Sequence, residues 1–170
     1  MKKNRFVGRW ATFFLIAISI SATVLSCKED SKDLVKPKTI TDVILENEQF
    51  SILRDLMIHA GMSDALRTEN LTVFAPDNNA FGKANISASL ITQLPKDSAK
   101  LFLQNHILKN KTKLSDLKVG EQLTLNRVKV NIARVDSIVS INKADVVIPN
   151  VNADNGVIHV IDSVVVRKFL

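Results

Sequence analysis

A chain of 170 residues is long enough for one domain with some additional sequence, and its single cysteine excludes an internal disulfide framework. The formal net charge is +6, but the first 27 residues carry four basic and no acidic side chains, which leaves 19 basic against 17 acidic residues in the remainder. A charge this close to neutral, without a basic run, gives no reason to expect nucleic acid as a partner.

The N-terminus has the pattern of a secretion signal. Lys2, Lys3, Arg5 and Arg9 form a positive region, and an apolar stretch (WATFFLIAISI) follows over residues 10–20. An alternative is a retained anchor helix, but the apolar stretch is too short to cross a bilayer comfortably. We therefore expect the chain to be exported and its signal to be removed.

The signal ends in VLSC, which resembles the lipobox that bacterial lipoprotein signal peptidase recognises. In that family the cysteine is acylated and becomes the new N-terminus, so the resemblance implies a lipid anchor on Cys27. The alternative is an ordinary thiol in a discarded signal. Lys28, Glu29 and Asp30 follow directly and resemble the short export signal that places lipoproteins of Bacteroidota-type bacteria on the outer face of the outer membrane.

The segment after Cys27, KEDSKDLVKPK, is charged, contains a proline and lacks apolar periodicity, which is typical of a flexible tether. We therefore predict a lipoprotein signal peptide over residues 1–26, the lipidated cysteine with its tether over residues 27–38, and a single domain over residues 39–170. About 130 residues are enough for one well-buried core.

Helical periodicity marks the start of the predicted domain. Apolar residues recur at helical spacing from Phe50 to Ala60, and Gly61 stands where the C-terminal cap of a helix is expected. His59 lies at the end of this helix and has the chemistry of a metal ligand or a catalytic base. A histidine in that position more often interacts with the helix dipole or with solvent.

The stretch LTVFAPDNNAF then predicts a buried strand over residues 71–75. Pro76 is expected to end that strand, because proline has no N–H to donate to a ladder. Asp77 or Asn78 is expected to cap a short helix that carries Phe81.

The hydrophobic period changes along the second half of the chain. Helices are expected at residues 90–94 and 98–106, and short strands follow with a period of two, at residues 123–125, 127–132, 137–141, 146–148 and 157–166. Asn155-Gly156 predicts a hairpin turn, because both residues tolerate positive φ. Helices first and strands later indicate an α+β domain with an antiparallel or mixed sheet.

Three motifs resemble the fasciclin (FAS1) family. LTVFAPDNNAF resembles its first signature, NGVIHVIDSVVV resembles its second, and LFLQNHIL lies where the family has a central Tyr-His pair, with Asn105 in place of the Tyr and His106 in place of the His. The resemblance covers residues 39–170. It implies a β-sandwich or wedge of mixed strands with a helical layer packed on it.

The resemblance also implies roles for individual residues. Asp77 stands where the family often has Thr, which preserves a helix cap. The Tyr-His region is implicated in integrin-dependent adhesion by animal members, and Asn105 removes half of that pair, so integrin binding is not expected here. Asn105 and His106 remain candidates for partner binding or for a conformational role, and we favour His106 as a clamp beneath the first signature. The signature residues with an implied structural role are Thr72, Val73, Phe74, Ala75, Pro76, Asp77, Phe81, Asn155, Gly156, His159 and Asp162.

His159, Asp162 and Ser163 supply the residue types of a hydrolase triad. In a strand, however, positions 159 and 162 point to opposite faces and cannot share a site. We expect His159 to bond to a buried backbone group and Asp162 to fix a neighbouring loop. No catalytic residue, metal site or cofactor is predicted, since the sequence has no nucleophile elbow, phosphate-binding glycine loop or paired histidine ligands.

The sequence thus predicts an adhesion or binding module that is anchored by lipid to the outer membrane, with its domain on or near the cell surface. Its expected partners are the membrane, through the anchor, and an extracellular protein or polysaccharide, with no role for nucleic acid. A structural subunit of an envelope assembly is the first alternative, and a carbohydrate-active or hydrolytic enzyme is the second.

Overall fold

The computed structural model describes residues 36–165, so the predicted signal peptide, Cys27 and most of the tether lie outside the described residues. Within the described range the chain forms six α-helices and seven β-strands. In chain order they are α1 Ile40–Glu46, α2 Ser51–His59, α3 Ala65–Thr68, β1 Leu71–Pro76, α4 Asn78–Lys83, α5 Ala88–Gln93, α6 Lys96–Gln104, β2 Ile107–Lys109, β3 Gly120–Leu123, β4 Lys129–Val135, β5 Ile138–Ile141, β6 Ala144–Ala153 and β7 Gly156–Ile161.

The predicted amphipathic helix is confirmed as α2, with Leu53, Leu56 and Met57 buried. Gly61 follows it with φ of +64°, the left-handed conformation expected of a glycine cap. The N–H of Gly61 donates to the carbonyl of Ile58 and the N–H of Met62 donates to that of Met57, both over 3.0 Å. This pair of bonds is a Schellman cap, which satisfies carbonyls that the helix itself leaves open.

The strands form one mixed sheet in the order β2-β1-β7-β6-β5-β4-β3. Only β1 and β7 run parallel among these neighbours, and the other pairs are antiparallel. The two edge strands meet again at one point, where Leu108 bridges Thr124 and the N–H of Leu125 donates to the carbonyl of Ile107 over 2.7 Å. The sheet is therefore barrel-like, closed by this bridge, and the predicted α+β class is confirmed.

Strands β1 and β7 lie at the centre of the fold and are buried at every position. One face packs against the helices, where Val73, Phe81 and Ile158 belong to the larger core cluster. The other face packs inside the curved sheet, where Phe74 and Ile161 belong to a second cluster. Burial on both faces explains why the sequences of β1 and β7 are almost continuously apolar, instead of alternating between apolar and polar residues.

The first signature ends as a strand one residue later than the sequence predicted. Pro76 is still part of β1 and pairs with Ile161 of β7. The partner strand β2 reaches only as far as Val73 in the register, so a missing N–H at position 76 costs β2 no hydrogen bond. Pro76 is thus the last residue of β1 rather than the first residue after it.

The hairpin before the final strand uses different residues from those predicted. Its two-residue turn is Asp154-Asn155, because Ala153 pairs with Gly156, and none of the three residues from Asp154 to Gly156 has a positive φ. The final strand is also shorter than predicted and ends at Ile161. Gly156 is instead demanded by close packing, since a Cβ there would lie 2.2 Å from the carbonyl oxygen of Leu71.

Candidate functional site

The first signature fixes a loop as well as a strand. The hydroxyl of Thr72 donates to the carbonyl of Asn110 over 2.7 Å and accepts from the N–H of Thr112 over 2.9 Å. Thr72 is fully buried on β1, beside the edge strand β2. The loop that follows β2 is therefore attached to the core at its first residues.

Asp77 caps helix α4, which resolves the choice between Asp77 and Asn78. Its carboxylate accepts from the N–H of Ala80 over 2.7 Å, and its backbone has the extended conformation of an N-cap. Asn78 instead accepts from the N–H of Ile52 in helix α2. Phe81 then lies in the helix-side core, with its ring centroid 6.4 Å from that of Phe102.

His106 is buried and bonded through both ring nitrogens. Its Nε2 accepts from the N–H of Val165 over 3.0 Å, so Nδ1 carries the proton and donates to the carbonyl of Phe102 over 2.9 Å. Its own carbonyl accepts from the N–H of Phe74 over 2.8 Å. Burial lowers the pKa of His106 to about 4, against the opposing effect of the Phe102 bond. The neutral imidazole joins α6, β1 and the end of the described chain.

His159 is bonded in the same way with the opposite tautomer. Its Nδ1 accepts from the N–H of Asn150 over 3.2 Å, and its Nε2 donates to the carbonyl of Thr112 over 3.1 Å. Burial lowers the pKa of this histidine as well. Its ring lies 5.5 Å from the ring of Phe74, measured between centroids. His159 thus bonds to two backbone groups, of the half-buried Thr112 and the exposed Asn150, and attaches the same loop that Thr72 holds.

Asn105 lies beside His106 and is also buried, with 8% of its surface exposed against 1% for His106. Its side-chain carbonyl accepts from the Nδ2 of Asn126 over 3.1 Å. Neither residue presents its side chain to a partner in this conformation. Asn105 joins the end of helix α6 to the turn between β3 and β4, whereas the bonds of His106 run to Phe102, Phe74 and Val165.

The two remaining signature positions connect distant parts of the chain. The side-chain carbonyl of Asn155 accepts from the N–H of Ile40 over 2.9 Å, and its Nδ2 donates to the carbonyls of Leu66 and Glu69 over 3.0 and 2.8 Å. This one amide therefore ties helices α1 and α3 to the β6–β7 hairpin.

Asp162 lies just beyond β7, and its carboxylate accepts from the N–H of Asp145 over 3.0 Å and from Lys83 over 3.1 Å. Burial would raise the pKa of Asp162, but these bonds bring it below its usual value. Asp162 and His159 have different partners, so no triad forms between them. Asp162 lies past the strand end rather than on its opposite face.

An open groove lies on the seam where the two edge strands separate. It has a volume of about 800 Å³. After β2 the chain passes through the loop of residues 110–119 and then forms β3. The groove lies between this loop and β3, next to the Leu108–Thr124 bridge. We call it the seam groove, and its lining residues are Leu108, Lys109, Asn110, Thr112, Asp116, Leu117, Lys118, Glu121, Gln122, Leu123, Thr124, Leu125 and Arg127.

The lining of the seam groove has three cations, Lys109, Lys118 and Arg127, and two carboxylates, Asp116 and Glu121, which leaves an excess of one positive charge. Glu121 is neutralised by Lys129, with 2.8 Å between carboxylate and ammonium. Lys109, Lys118 and Arg127 have no ion pair among the described residues, and Asp116 accepts a hydrogen bond from the hydroxyl of Ser115. The groove is thus suited to an anionic partner.

Sequence reasoning missed the seam groove, although a signal was present. Residues 109–118 contain four lysines and one aspartate in ten positions. The prediction considered charge over the whole mature chain, where acidic residues elsewhere cancel this local excess. This loop lies near Arg127 only because the Leu108–Thr124 bridge closes the sheet. No local sequence pattern predicts that bridge.

Comparison with known proteins identifies the family. The family model described as the fasciclin domain matches residues 48–167. The chain belongs to the fasciclin domain family. Protein sll1483 of Synechocystis is 37% identical over 130 residues, which make up 75% of this chain and 72% of that protein. Immunogenic protein MPB70 of Mycobacterium bovis is 34% identical over 103 residues, or 59% of this chain and 52% of MPB70.

A solved structure shows the same fold. The FAS1 domain pair from the insect cell adhesion molecule fasciclin I superimposes with a TM-score of 0.63 at 19% identity, covering 76% of this chain and 51% of that one. The sequence relatives reported above are cyanobacterial and mycobacterial, so the resemblance to Bacteroidota-type lipoproteins stays a prediction.

Metal-binding clusters and membrane-spanning helices are both absent from the described residues of this fasciclin domain. No group of three or more His, Cys, Asp or Glu side chains in residues 36–165 is placed to hold a metal ion. In the same part of the chain, no helix has the length and apolar character needed to span a bilayer.

Proposed function

We propose that this protein is an adhesion or binding module, anchored by lipid to the outer membrane, that contacts an extracellular protein or polysaccharide. The observation that carries the proposal is the seam groove. It is open and positively charged, and Thr72 and His159 of the two signatures anchor one of its walls. The fold likeness to an insect cell adhesion molecule supports the adhesive role.

The chemistry of the buried histidines supports binding rather than hydrolysis. A general base needs a ring nitrogen within reach of a substrate proton. In His106 and His159 both ring nitrogens are engaged with backbone groups. Lowered pKa values keep both rings neutral near pH 7, where they act as fixed donors and acceptors.

Array screening tests the binding role. We expect the Cys27→Ser chain, used as a soluble form, to bind a defined set of extracellular proteins or polysaccharides. The double variant Lys109→Glu/Lys118→Glu should lose at least about tenfold in affinity, because it reverses the charge of the groove. Lys100→Glu is the matched control, since Lys100 is an exposed lysine on α6 away from the groove. Absence of any bound protein or glycan, or equal losses in both variants, would overturn the proposal.

The lipid anchor has its own prediction. Cys27→Ser should move the protein from the outer-membrane fraction to the soluble fraction, because the thiol that would carry the acyl chains is gone. The measurement is fractionation of cells followed by immunoblotting, with Ser26→Ala as the neighbouring control. Retention of the Cys27→Ser chain in the membrane would contradict lipidation. The Lys28-Glu29-Asp30 segment supports placement on the outer face.

A further inference from the structure

The strand directions bring two turns of the sheet to the same end of the domain. Strands β4 and β6 run the same way, because β5 is antiparallel to both, so their last residues, Val135 and Ala153, lie toward one end. The chain also enters the domain there, since the N–H of Asp154 in the β6–β7 turn donates to the carbonyl of Lys38 over 2.9 Å.

The loop of residues 110–119 crosses this end and contacts both turns. The Nζ of Lys111 donates to the carbonyl of Ala153 over 2.8 Å, at the β6–β7 turn. Farther along the loop, the carbonyl of Leu114 accepts from the Nη2 of Arg134 over 2.8 Å, at the β4–β5 turn. The loop and the two turns therefore form one surface. We call this surface the tether end and define it as residues 36–38, 110–119, 134–138 and 153–156.

The β4–β5 turn exposes two apolar side chains on the tether end. Val135 is 68% exposed, and Ile138, its cross-strand partner, is 55% exposed. Both point away from the inside of the curved sheet, because Val139, the next residue of β5, packs inside it. Adjacent apolar side chains exposed at the tip of a hairpin mark a surface for contact with another protein or with a membrane.

Basic side chains accompany this apolar tip. The tether end carries six basic and three acidic residues, and one of the six, Lys38, is paired with Glu46. Lys111, Lys113 and Arg134 are exposed, and none of these three belongs to the lining of the seam groove. Basic residues near a bilayer surface are attracted by anionic lipids. The tether end is therefore complementary to an anionic lipid surface in both charge and polarity.

We propose that the tether end rests on the bilayer surface, with the side chains of Val135 and Ile138 inserted among the lipids. Lys111, Lys113 and Arg134 then face anionic headgroups. The proposal rests on the lipid anchor proposed above and adds a non-covalent contact with the same membrane. Two side chains are far too small a patch for a stable dimer, which buries about 800 Å² on each partner. A second copy of the chain is therefore a poorer occupant than a lipid surface.

The length of the tether supports this contact. Residues 28–35 separate Cys27 from Lys36, and this length of chain spans about 30 Å when fully extended. A lipid on Cys27 keeps the tether end at that distance or less, so the effective concentration of the membrane is high enough for a weak contact to form. The contact alone buries much less apolar surface than one acyl chain, which itself binds membranes only marginally. We therefore still expect the Cys27→Ser chain in the soluble fraction.

A single tryptophan can report whether the tip enters the bilayer. The mature chain, residues 27–170, has no tryptophan of its own. Ile138→Trp places one at the tip. Leu101→Trp is the matched control, because Leu101 is 48% exposed on α6, which precedes the start of β2 and lies toward the opposite end of the sheet. Each chain is coupled through Cys27, its only cysteine, to a maleimide-bearing lipid in vesicles of equal parts phosphatidylglycerol and phosphatidylcholine.

We expect the Ile138→Trp emission to shift to shorter wavelengths and to be quenched by brominated acyl chains, whereas Leu101→Trp should show neither change. Adding Lys113→Glu to the Ile138→Trp chain should lower the ratio of inserted to free tips at least about fivefold, because it turns attraction to the headgroups into repulsion. Lys100→Glu, on α6, should leave that ratio unchanged. Asp136→Asn should raise it at least about threefold, since it removes an acidic charge and asparagine suits the left-handed conformation at this position, with φ of +51°.

The coupled vesicles separate this inference from the anchor on which it rests, because the maleimide-bearing lipid replaces the acyl chains. If Ile138→Trp and Leu101→Trp respond alike, the membrane contact is wrong, whether or not cells lipidate Cys27. Equal insertion into vesicles of phosphatidylcholine alone, or no effect of Lys113→Glu, would overturn the role of the cations. If the tip inserts but cell fractionation contradicts lipidation, the contact stands as a property of the domain and the anchor prediction fails.

Discussion

Replacing Gly156 by alanine is expected to lower the free energy of unfolding by at least about 3 kcal/mol, because the new Cβ has no room. It would lie 2.2 Å from the backbone oxygen of Leu71 and 2.5 Å from the Cδ1 of Ile40. A side chain could rotate away, but the Leu71 oxygen belongs to the β1–β7 pairing at the centre of the sheet. Urea unfolding at neutral pH measures the change.

Gly82 provides the matched control for this substitution. It lies in helix α4, and a Cβ added there would meet no atom within 4 Å. Gly82→Ala should therefore leave stability unchanged or raise it by up to about 1 kcal/mol, because alanine favours the helix. If Gly156→Ala lowers the free energy of unfolding by no more than Gly82→Ala changes it, the backbone at the β1–β7 contact can move to accommodate the new Cβ, and the prediction is wrong.

Acidification should begin to destabilise the domain at a pH above the range in which carboxylates titrate. The pKa of His106 is about 4 in the folded protein and near 6.5 in the unfolded chain, so the unfolded chain binds the proton first as pH falls. The stability contributed by the neutral ring is therefore lost progressively between about pH 6.5 and pH 4. That loss amounts to roughly 3 kcal/mol. The cause of the lowered pKa is burial, which disfavours the charged ring, and protonation would also place a second ring N–H against the N–H of Val165.

The variant His106→Leu isolates this contribution. At pH 7 it should be destabilised, because the N–H of Val165 loses its acceptor. Its stability should then fall less steeply than that of the wild type as the pH is lowered to 4.5. Some dependence is expected to remain, because burial lowers the pKa of His159 in the same direction. Parallel stability curves for the two proteins, measured by urea unfolding at several pH values, would contradict the assignment to His106.

Strong local patterns predicted much of the fold. The spacing from Phe50 to Ala60 with Gly61 beyond it predicted α2 and its cap, because amphipathic periodicity and a left-handed glycine are both local properties. The alternation of Val130 and Ile132 predicted the inner face of β4, where both side chains are buried. The family resemblance then placed these elements in one topology.

What the sequence could not predict depends on contacts between distant segments. The pair Asn155-Gly156 has the composition of a hairpin turn. In the structure, however, the side chain of Asn155 makes three bonds to the segments of helices α1 and α3, and Gly156 is required by the proximity of Leu71. Leu125 and Arg127 looked like strand residues, but the N–H of Arg127 donates to the carbonyl of Thr124 in a tight turn. Local composition cannot distinguish these causes.

In the candidate site, too, local features were predictable from the sequence and contacts between distant segments were not. The family resemblance points to His106 and His159 as structural residues, but no local pattern indicates that their bonds use opposite tautomers. The seam groove was not predicted, because its walls become neighbours only when the Leu108–Thr124 bridge closes the sheet.

The attachment of the N-terminal segment to the β6–β7 hairpin has a mechanical consequence. The carbonyl of Lys38 accepts from the N–H of Asp154, and the N–H of Ile40 donates to Asn155. A pulling force applied at Lys36 would therefore pass into this hairpin and on to β7, which lies between two strands inside the sheet. A domain loaded in this way resists shear through several backbone hydrogen bonds of the sheet at once.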